Sequence, residues 1–324
     1  MQCLRPLEKN SHKMNFLLSA FVQEHPTFAG VWAFVLGSIF GSFLNVCAYR
    51  IPREESICRP GSRCTSCGEP IAWWLNIPIF SWLLLRGKAA CCGTRISSRY
   101  WIVEALTGAA FVWAVLAFGG EAYPEKALIA SVFACLLIGA ALTDLESFII
   151  PDRFSIGGAL IGLALAIFFP AMRLGVEVGG QLEHFQSGLD SLLGMLVGSA
   201  SLYWIGVLAE KAMGKEALGE GDVKLLGCIG AFCGWQGALF AIFGGALIGT
   251  IMLLPFALLQ GKAKSGEDKL DEEEAKVGWG VEVPFGPFLS TAALIYHFGL
   301  FASVDPWFEN FRMILASDVA RFSF

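Results

Sequence analysis

The sequence predicts an all-α membrane protein: a polytopic bundle of about eight transmembrane helices with a cysteine-bearing cytoplasmic loop. Apolar residues make up 55% of the 324 residues, charged residues make up 16%, and the mean hydropathy is +0.61. Soluble domains average about 45–50% apolar and about 25% charged residues. The apolar residues also cluster in nearly uncharged runs of about 20 residues, which is long enough to cross roughly 30 Å of hydrocarbon. These observations exclude an ordinary soluble enzyme, a disordered chain and a secreted disulfide scaffold.

Eight apolar runs are predicted to span the bilayer, between an N-terminal segment at 1–27 and a C-terminal tail at 303–324. We expect no secretory signal in the N-terminal segment, because its apolar patch at 16–18 is shorter than the roughly 7–15 residues of a signal core. The sixth run is short, so residues 223–259 must hold two crossings joined by a tight turn near 234–237. The predicted spans are 28–49, 101–118, 127–145, 154–170, 188–208, 223–235, 237–259 and 285–302.

The orientation follows from the basic residues of the loops, because cytoplasmic loops are enriched in Lys and Arg. The loop over residues 50–100 carries eight basic and three acidic residues, so we expect it to be cytoplasmic. An eight-span bundle then has both termini on the external side. Further loops near 146–153, 209–222 and 260–284 are expected on the cytoplasmic side, and those at 119–126 and 171–187 on the external side.

The cytoplasmic loop contains half of the ten cysteines in the chain. Cys64 and Cys67 form a CxxC pair followed by Gly68, a spacing that lets two thiolates bind one zinc ion from a single turn. The alternative is that these cysteines are reduced thiols without a metal. The five loop cysteines are Cys58, Cys64, Cys67, Cys91 and Cys92.

The second half of the candidate zinc site is irregular. A regular second CxxC pair would place cysteines at 89 and 92, but residue 89 is Ala89. The fourth ligand could be Cys91 or Cys58, and adjacent cysteines rarely bind one metal ion with good geometry. We therefore predict the ligand set that uses Cys58, with Cys91 as the alternative fourth member: Cys58, Cys64, Cys67 and Cys92.

Two aspartates lie at the predicted cytoplasmic edge of the membrane. Asp144 ends the third span, and Asp222 begins the sixth within Gly219-Glu220-Gly221-Asp222. Burial of an ionisable group within a span is costly, so such a residue is a candidate for function. Gly219 and Gly221 lack side chains and could let the backbone approach an extended substrate. Helix packing could bring the two aspartates together, because they lie at the same depth.

A carboxylate pair that shares one proton is a known hydrolytic unit, in which the ionised member deprotonates a water and the protonated member polarises the scissile carbonyl. A simpler reading is that both aspartates only end helices, Asp222 being favourable at a helix N-terminus. A third reading is an ion- or proton-coupled transporter with broken, Gly-rich helices, although its acids would be expected near the midplane.

An ordered series of motifs accompanies these aspartates. It comprises Gly41–Val46 with Tyr49–Pro52, Arg59–Cys67, Asn76–Pro78 with Ser81–Trp82, Ile96–Tyr100 with Val103–Glu104, Asp144, Gly219–Asp222 with Lys224–Gly227, and Pro284–Phe288. In this order, from about residue 30 to about residue 300, the motifs resemble those of the type IV prepilin peptidase family, the prepilin leader peptidase/N-methyltransferases.

The resemblance implies an intramembrane aspartyl protease of the bacterial inner membrane, with Asp144 and Asp222 as its catalytic residues and no cofactor needed for proteolysis. Its substrates would be prepilins or pseudopilins of type IV pilus or type II secretion systems, cleaved after a glycine at the cytoplasmic face. The implied partners are these proteins and the lipid bilayer, and no nucleic acid. The peptidase domain would cover residues 101–302.

In bifunctional members of the family, the cysteine loop accompanies a methyltransferase activity. That activity uses S-adenosylmethionine to methylate the new N-terminal amine, and the loop of this chain would hold Zn2+. Ala89 departs from the family's paired CxxC knuckles, so a peptidase without methyltransferase activity is the alternative.

Overall fold

The computed structural model describes residues 16–120, 124–170, 181–214, 218–263, 283–308 and 310. Within these ranges the regular secondary structure is helical, with two isolated β-bridges and no named strand, which confirms the all-α class. Six helices there are long and apolar enough to cross a membrane. The predicted features at 1–15, 171–180, 264–282 and 311–324 lie outside the described residues.

The principal helices follow the predicted spans closely. A helix over residues 16–24 precedes them, and a short helix, Phe80–Leu84, lies in the loop. The principal helices are α1 Pro26–Arg50, α2 Arg99–Phe118, α3 Glu125–Ser147, α4 Ile156–Phe168, α5 Gln181–Met213, α6 Glu220–Ala263 and α7 Gly286–Ile295, which continues helically to residue 308.

The predicted count of eight spans stays a prediction. The helix α4 has 13 residues, and at 1.5 Å per residue it covers about 20 Å, less than the roughly 30 Å of hydrocarbon. The sixth and seventh predicted spans fall together in α6, which is broken at Gly234 (φ 72°, ψ −179°). This left-handed φ is one that glycine adopts without steric cost.

The chain reverses direction at Gly234. A Cβ atom added at Gly198 of α5 would lie 2.8 Å from the Leu226 carbonyl oxygen and 3.1 Å from the Ala238 Cβ. On one straight helix, residues twelve apart would be separated by about 18 Å. The two halves of α6 therefore fold back on each other, and the tight turn predicted near 234–237 is present at Gly234.

Glycines allow the helices to approach at backbone distance. Gly194 of α5 and Gly230 of α6 face each other so closely that a Cβ on either one would overlap the other's carbonyl group. In the α1–α2 pair, a Cβ at Gly37 would lie 2.7 Å from the Thr107 carbonyl oxygen. Small residues of this kind are typical of helix packing in membranes, where dispersion forces between close backbones drive association.

The bundle has an apolar outer surface as well as an apolar core. Phe133 and Leu137 of α3 are fully buried, so α3 lies at the centre of the bundle. Large apolar side chains such as Phe43, Leu193 and Phe243 are exposed on the outer sides of their helices. Such a surface is suited to lipid rather than water, and the chain is therefore a multi-pass membrane protein.

One end of the bundle, which we call the loop end, carries the cysteine loop (residues 51–98). Glu146 in the last turn of α3 forms ion pairs with Arg53 near the start of this loop at 3.6 Å and with Arg99 just after its end at 3.2 Å. The start of α7 meets the same end, because the Gly286 backbone N–H donates a hydrogen bond to Asp144. The loop and the candidate aspartates therefore share one end.

The Gly194–Gly230 contact leads to a stability prediction. Replacing Gly230 with Val should lower the thermal midpoint of the protein in detergent, because the new side chain would separate two helix backbones, and overpacking costs about 1–3 kcal/mol or more. Gly299→Ala is the matched control, since a Cβ there meets nothing within 4 Å. An unchanged midpoint for Gly230→Val would contradict the packing described for α5 and α6.

Candidate active site

Asp144 is held by the way α3 ends. The helix stops at Ser147 because Phe148 adopts a left-handed conformation (φ 54°, ψ 27°), and the Phe148 N–H donates to the Asp144 carbonyl oxygen at 2.9 Å. The Asp144 side chain is only 6% exposed. Its Oδ2 atom accepts a hydrogen bond from the Gly286 N–H at 3.0 Å. One oxygen of this carboxyl group is thus fixed by the backbone.

Asp222 lies in the first turn of α6 and is 8% exposed. Its backbone N–H donates to the Gly219 carbonyl oxygen at 3.2 Å, which closes the turn that opens the helix. The Oδ1 atom is buried and has no hydrogen-bond partner among the described residues. The position at a helix N-terminus favours negative charge.

The structure brings the two aspartates to one site at the loop end. Asp144 lies against Gly286, and Asp222 directly follows Gly221. Ile150 links the elements that carry them, since a Cβ at Gly221 would lie 3.1 Å from its Cβ and a Cβ at Gly286 would lie 2.9 Å from its Cδ1. In the described part of the chain, no basic side chain pairs with either carboxylate. Such a pair can hold and transfer a proton.

Gly286 is a site residue to which the sequence analysis assigned no role. A Cβ there would lie 2.6 Å from the Asp144 Oδ2, so only glycine lets the backbone N–H reach that oxygen. Its place in the Pro284–Phe288 motif is the signal that could have identified it. A Cβ at Gly221 would crowd Ile150, whereas a Cβ at Gly219 would make only an ordinary 3.7 Å contact with the Asp222 Oδ2. The role of these two glycines in admitting a substrate stays a prediction.

The cysteine loop contains two similar turns that are offset by 25 residues in sequence. In the first, Cys64 N–H donates to Glu69 O; in the second, Ala89 N–H donates to Thr94 O. Each turn is closed by a glycine with positive φ, Gly68 (75°) or Gly93 (71°). Isolated bridges, Arg63 to Pro70 and Lys88 to Arg95, flank them. Ala89 therefore occupies the position that Cys64 has in the first turn.

Four cysteines of these turns form one cluster in which all ligand atoms lie within 4.8 Å of one another: Cys64, Cys67, Cys91 and Cys92. The sulfurs of Cys64 and Cys92 are 3.6 Å apart, and those of Cys67 and Cys91 are 3.3 Å apart. Four sulfurs around a tetrahedral zinc ion, at about 2.3 Å each, would be separated by about 3.8 Å. The arrangement fits a closed structural zinc site.

The predicted ligand Cys58 is not a member of this cluster. It is exposed and precedes the first turn, whereas Cys91 lies inside the second turn, where its thiol takes the place of the one missing at Ala89. The tight turn at Gly93 lets both adjacent cysteines, Cys91 and Cys92, reach the same point. The structure thus favours Cys91, the alternative fourth ligand, over Cys58, the ligand preferred from the sequence.

The thiols of the cluster differ in pKa. Backbone N–H groups of Cys67 and Ser66 lower the pKa of Cys64 to about 6, and hydrogen bonds from Thr94 lower the pKa of Cys92. The Cys67 thiol raises the pKa of Cys91 to about 12. Neighbouring thiols repel one another when ionised, so they cannot all ionise unless a cation lies between them. A zinc ion would supply that positive charge.

Comparisons with known proteins identify the family of the chain. Residues 35–118 match the bacterial peptidase A24 N-terminal domain, and residues 131–254 match the type IV leader peptidase family. No solved structure matches the chain.

Several curated relatives carry the name prepilin leader peptidase/N-methyltransferase. The protein from Myxococcus xanthus is 34% identical, over 91% of this chain and 95% of its own length. The protein from Xanthomonas campestris is 30% identical over 86% of this chain and 94% of its own length, and that from Klebsiella pneumoniae 36% identical over 68% and 92%. Identity of 30% or more over at least two thirds of the chain shows that the protein belongs to the type IV leader peptidase family.

Proposed function

We propose that the protein is a membrane-embedded aspartyl endopeptidase that removes the leader from type IV prepilins or pseudopilins and then methylates the new N-terminal amine. The observation that carries the proposal is the pair of buried carboxyl groups, Asp144 and Asp222, with no basic partner among the described residues. The names of the relatives support the substrate class and the second activity.

In the proposed mechanism, one carboxyl group is ionised and removes a proton from a water molecule, while the other is protonated and donates to the oxygen of the scissile carbonyl. Gly286 binds Oδ2 of Asp144 and leaves its other oxygen for this chemistry. The Asp222 Oδ1, without a hydrogen-bond partner among the described residues, is similarly available. Proteolysis needs no cofactor in this scheme.

The substrate reaches the aspartates from the membrane. A prepilin combines a short basic leader with a long apolar helix, so the helix can lie among the bundle helices while the leader stays in water. The scissile bond must be unwound, because a helical backbone uses its carbonyls in i→i−4 hydrogen bonds. The basic residues of the cysteine loop favour the cytoplasmic side for the loop end, and hence cleavage at the cytoplasmic face of the bacterial inner membrane.

The cysteine loop and the methyl donor belong to the second activity. Zn2+ bound by the cluster Cys64, Cys67, Cys91 and Cys92 would have a full set of protein ligands and so a structural role, holding the two turns together. S-adenosylmethionine would supply an electrophilic methyl group. The residues of the chain must bind this donor, orient the acceptor amine and exclude water.

The aspartate assignment predicts the effect of single amide substitutions. Asp144→Asn and Asp222→Asn should each reduce leader cleavage at least about 1,000-fold, because neither amide can replace a group that transfers a proton. Cleavage of a purified prepilin by protein in detergent measures this. Asp152→Asn is the control, an exposed acid at the same end that pairs with Lys224 at 3.0 Å. Cleavage at the normal rate by either Asn variant would refute the pair.

The Gly286 contact predicts a positional effect on catalysis. Gly286→Ala should slow cleavage by about 100-fold, because the methyl group would displace the Asp144 carboxyl group, and misplacement by about 1 Å costs this much. Gly299→Ala on the same helix should cleave normally, since its Cβ meets nothing within 4 Å. Equal rates for both alanine variants would show that Asp144 does not depend on Gly286.

The cysteine cluster predicts which substitutions remove the metal. The purified protein should contain about one zinc per chain by elemental mass spectrometry; Cys91→Ser should lower this content severalfold and Cys58→Ser should retain it, because only Cys91 lies in the cluster. Loss of zinc from Cys58→Ser but not from Cys91→Ser would instead support the ligand set with Cys58 in place of Cys91. Zinc well below one per chain in the unaltered protein would exclude the site.

A further inference from the structure

Besides the aspartate site, the loop end contains a cavity between α1, α2 and the cysteine loop. Its volume is about 840 Å³, within the roughly 300–1,000 Å³ typical of small-molecule sites. Asn45 and Ser42 of α1, Glu104 and Tyr100 of α2, and Trp82 of the loop are among its lining residues. The aspartate pair does not line it, so proteolysis leaves its polar side chains unexplained.

Asn45 lines this cavity and carries an unsatisfied buried acceptor. The side chain is 2% exposed, and its Nδ2 atom donates to the carbonyl oxygens of Gly41 at 3.3 Å and Tyr100 at 3.2 Å. These bonds fix the orientation of the amide. Its Oδ1 atom is buried and without a partner among the described residues. An unsatisfied buried acceptor costs about 1–3 kcal/mol, a cost that a bound hydrogen-bond donor would remove.

Glu104 adds a buried carboxyl group beside it. The residue is 7% exposed, its Oε2 accepts from the Ile79 N–H at 2.7 Å, and Ser42 of α1 lines the same cavity. Among the described residues no basic side chain forms an ion pair with it. A buried carboxylate of this kind is stabilised by a cation. The Asn45 amide oxygen and the Glu104 carboxyl group could therefore accept hydrogen bonds from a positively charged ligand that carries N–H groups.

The other walls add features of a larger ligand. Arg63 and Arg95 line the cavity, and an arginine side chain can bind a carboxylate. The aromatic rings of Trp82 and Tyr100 can stack on a planar base. A ligand with an ammonium and sulfonium end, a carboxylate and a purine combines all three requirements, and S-adenosylmethionine has this composition.

We propose that this cavity is the binding site for the methyl donor, with Glu104 and Asn45 binding the positively charged end of S-adenosylmethionine. The inference rests on the proposed function, because it assigns the site of its second activity. The donor site is then built jointly by two membrane helices and the cysteine loop, and zinc supports it by holding the loop that covers it.

The position of the cavity suits two reactions on one substrate. Glu146 lines the cavity, and Asp144 lies two residues earlier on α3. Residues two apart on a helix point about 200° away from each other, so the end of α3 separates the two sites. The new N-terminus formed at the aspartates has only to pass around this helix end to reach the donor.

The test measures binding as well as activity. Full-length, zinc-containing protein in detergent is titrated calorimetrically with S-adenosylhomocysteine, the donor without its methyl group. Glu104→Gln and Asn45→Leu should each weaken binding at least about 10-fold, as expected for loss of a hydrogen bond to a charged group. Thr107→Val is the matched control: it is buried on α2, does not line the cavity and donates only to the Val103 carbonyl oxygen at 2.8 Å.

A second readout does not depend on any variant folding. Radiolabelled S-adenosylmethionine is crosslinked to the unaltered protein by ultraviolet light, and the label should map to residues 42–50, 79–82 or 95–104. Label confined to other segments, or normal affinity in both Glu104→Gln and Asn45→Leu, would overturn the proposed donor site. If the unaltered protein still methylated its substrate, the proposed function would stand without that site. Unaltered protein that cleaves prepilin but neither binds the donor product nor methylates would refute both the site and the methyltransferase activity.

Discussion

The burial of two acidic side chains at one end of a membrane bundle is the constraint on which the rest of the structure depends. A buried carboxylate is costly unless it is hydrogen-bonded or paired with a cation, and the described residues offer no basic partner to Asp144 or Asp222. The backbone supplies what side chains do not. Gly286 donates its N–H to Asp144, and the N-terminus of α6 favours the charge of Asp222. Three helix ends must therefore meet with little tolerance.

Close packing of helix backbones fixes the positions of these helix ends. Gly194 and Gly230 leave no space between α5 and α6, and the reversal at Gly234 lets the second half of α6 return beside the first. Ile150 then fits against Gly221 and Gly286, where any side chain would push the aspartates apart. The same end holds the cysteine loop through the ion pairs of Glu146. The aspartate pair and the cavity beside the cysteine loop thus lie at the same end of the bundle.

Predictions from the sequence were most accurate where a local property of the chain decides the structure. Hydropathy placed the ends of α1, α2 and α3 within two residues, and glycine marked the reversal in α6. Predictions were least accurate where the structure depends on the geometry between distant segments. The rule against adjacent cysteines favoured Cys58, yet the second turn brings Cys91 and Cys92 to one point, because Gly93 bends the chain sharply there. No rule based on spacing contains that turn geometry.

The sequence by itself determined the all-α membrane class, the concentration of basic residues in one loop, the two candidate aspartates and the cysteine-rich turns. Each of these follows from how single residues partition between lipid and water, or from short-range spacing. Only the tertiary structure decided that Gly286 holds Asp144, that Cys91 completes the cluster, and that Asn45 and Glu104 face a cavity. These contacts join residues far apart in the chain, and they depend on how closely helix backbones approach, which hydropathy does not encode.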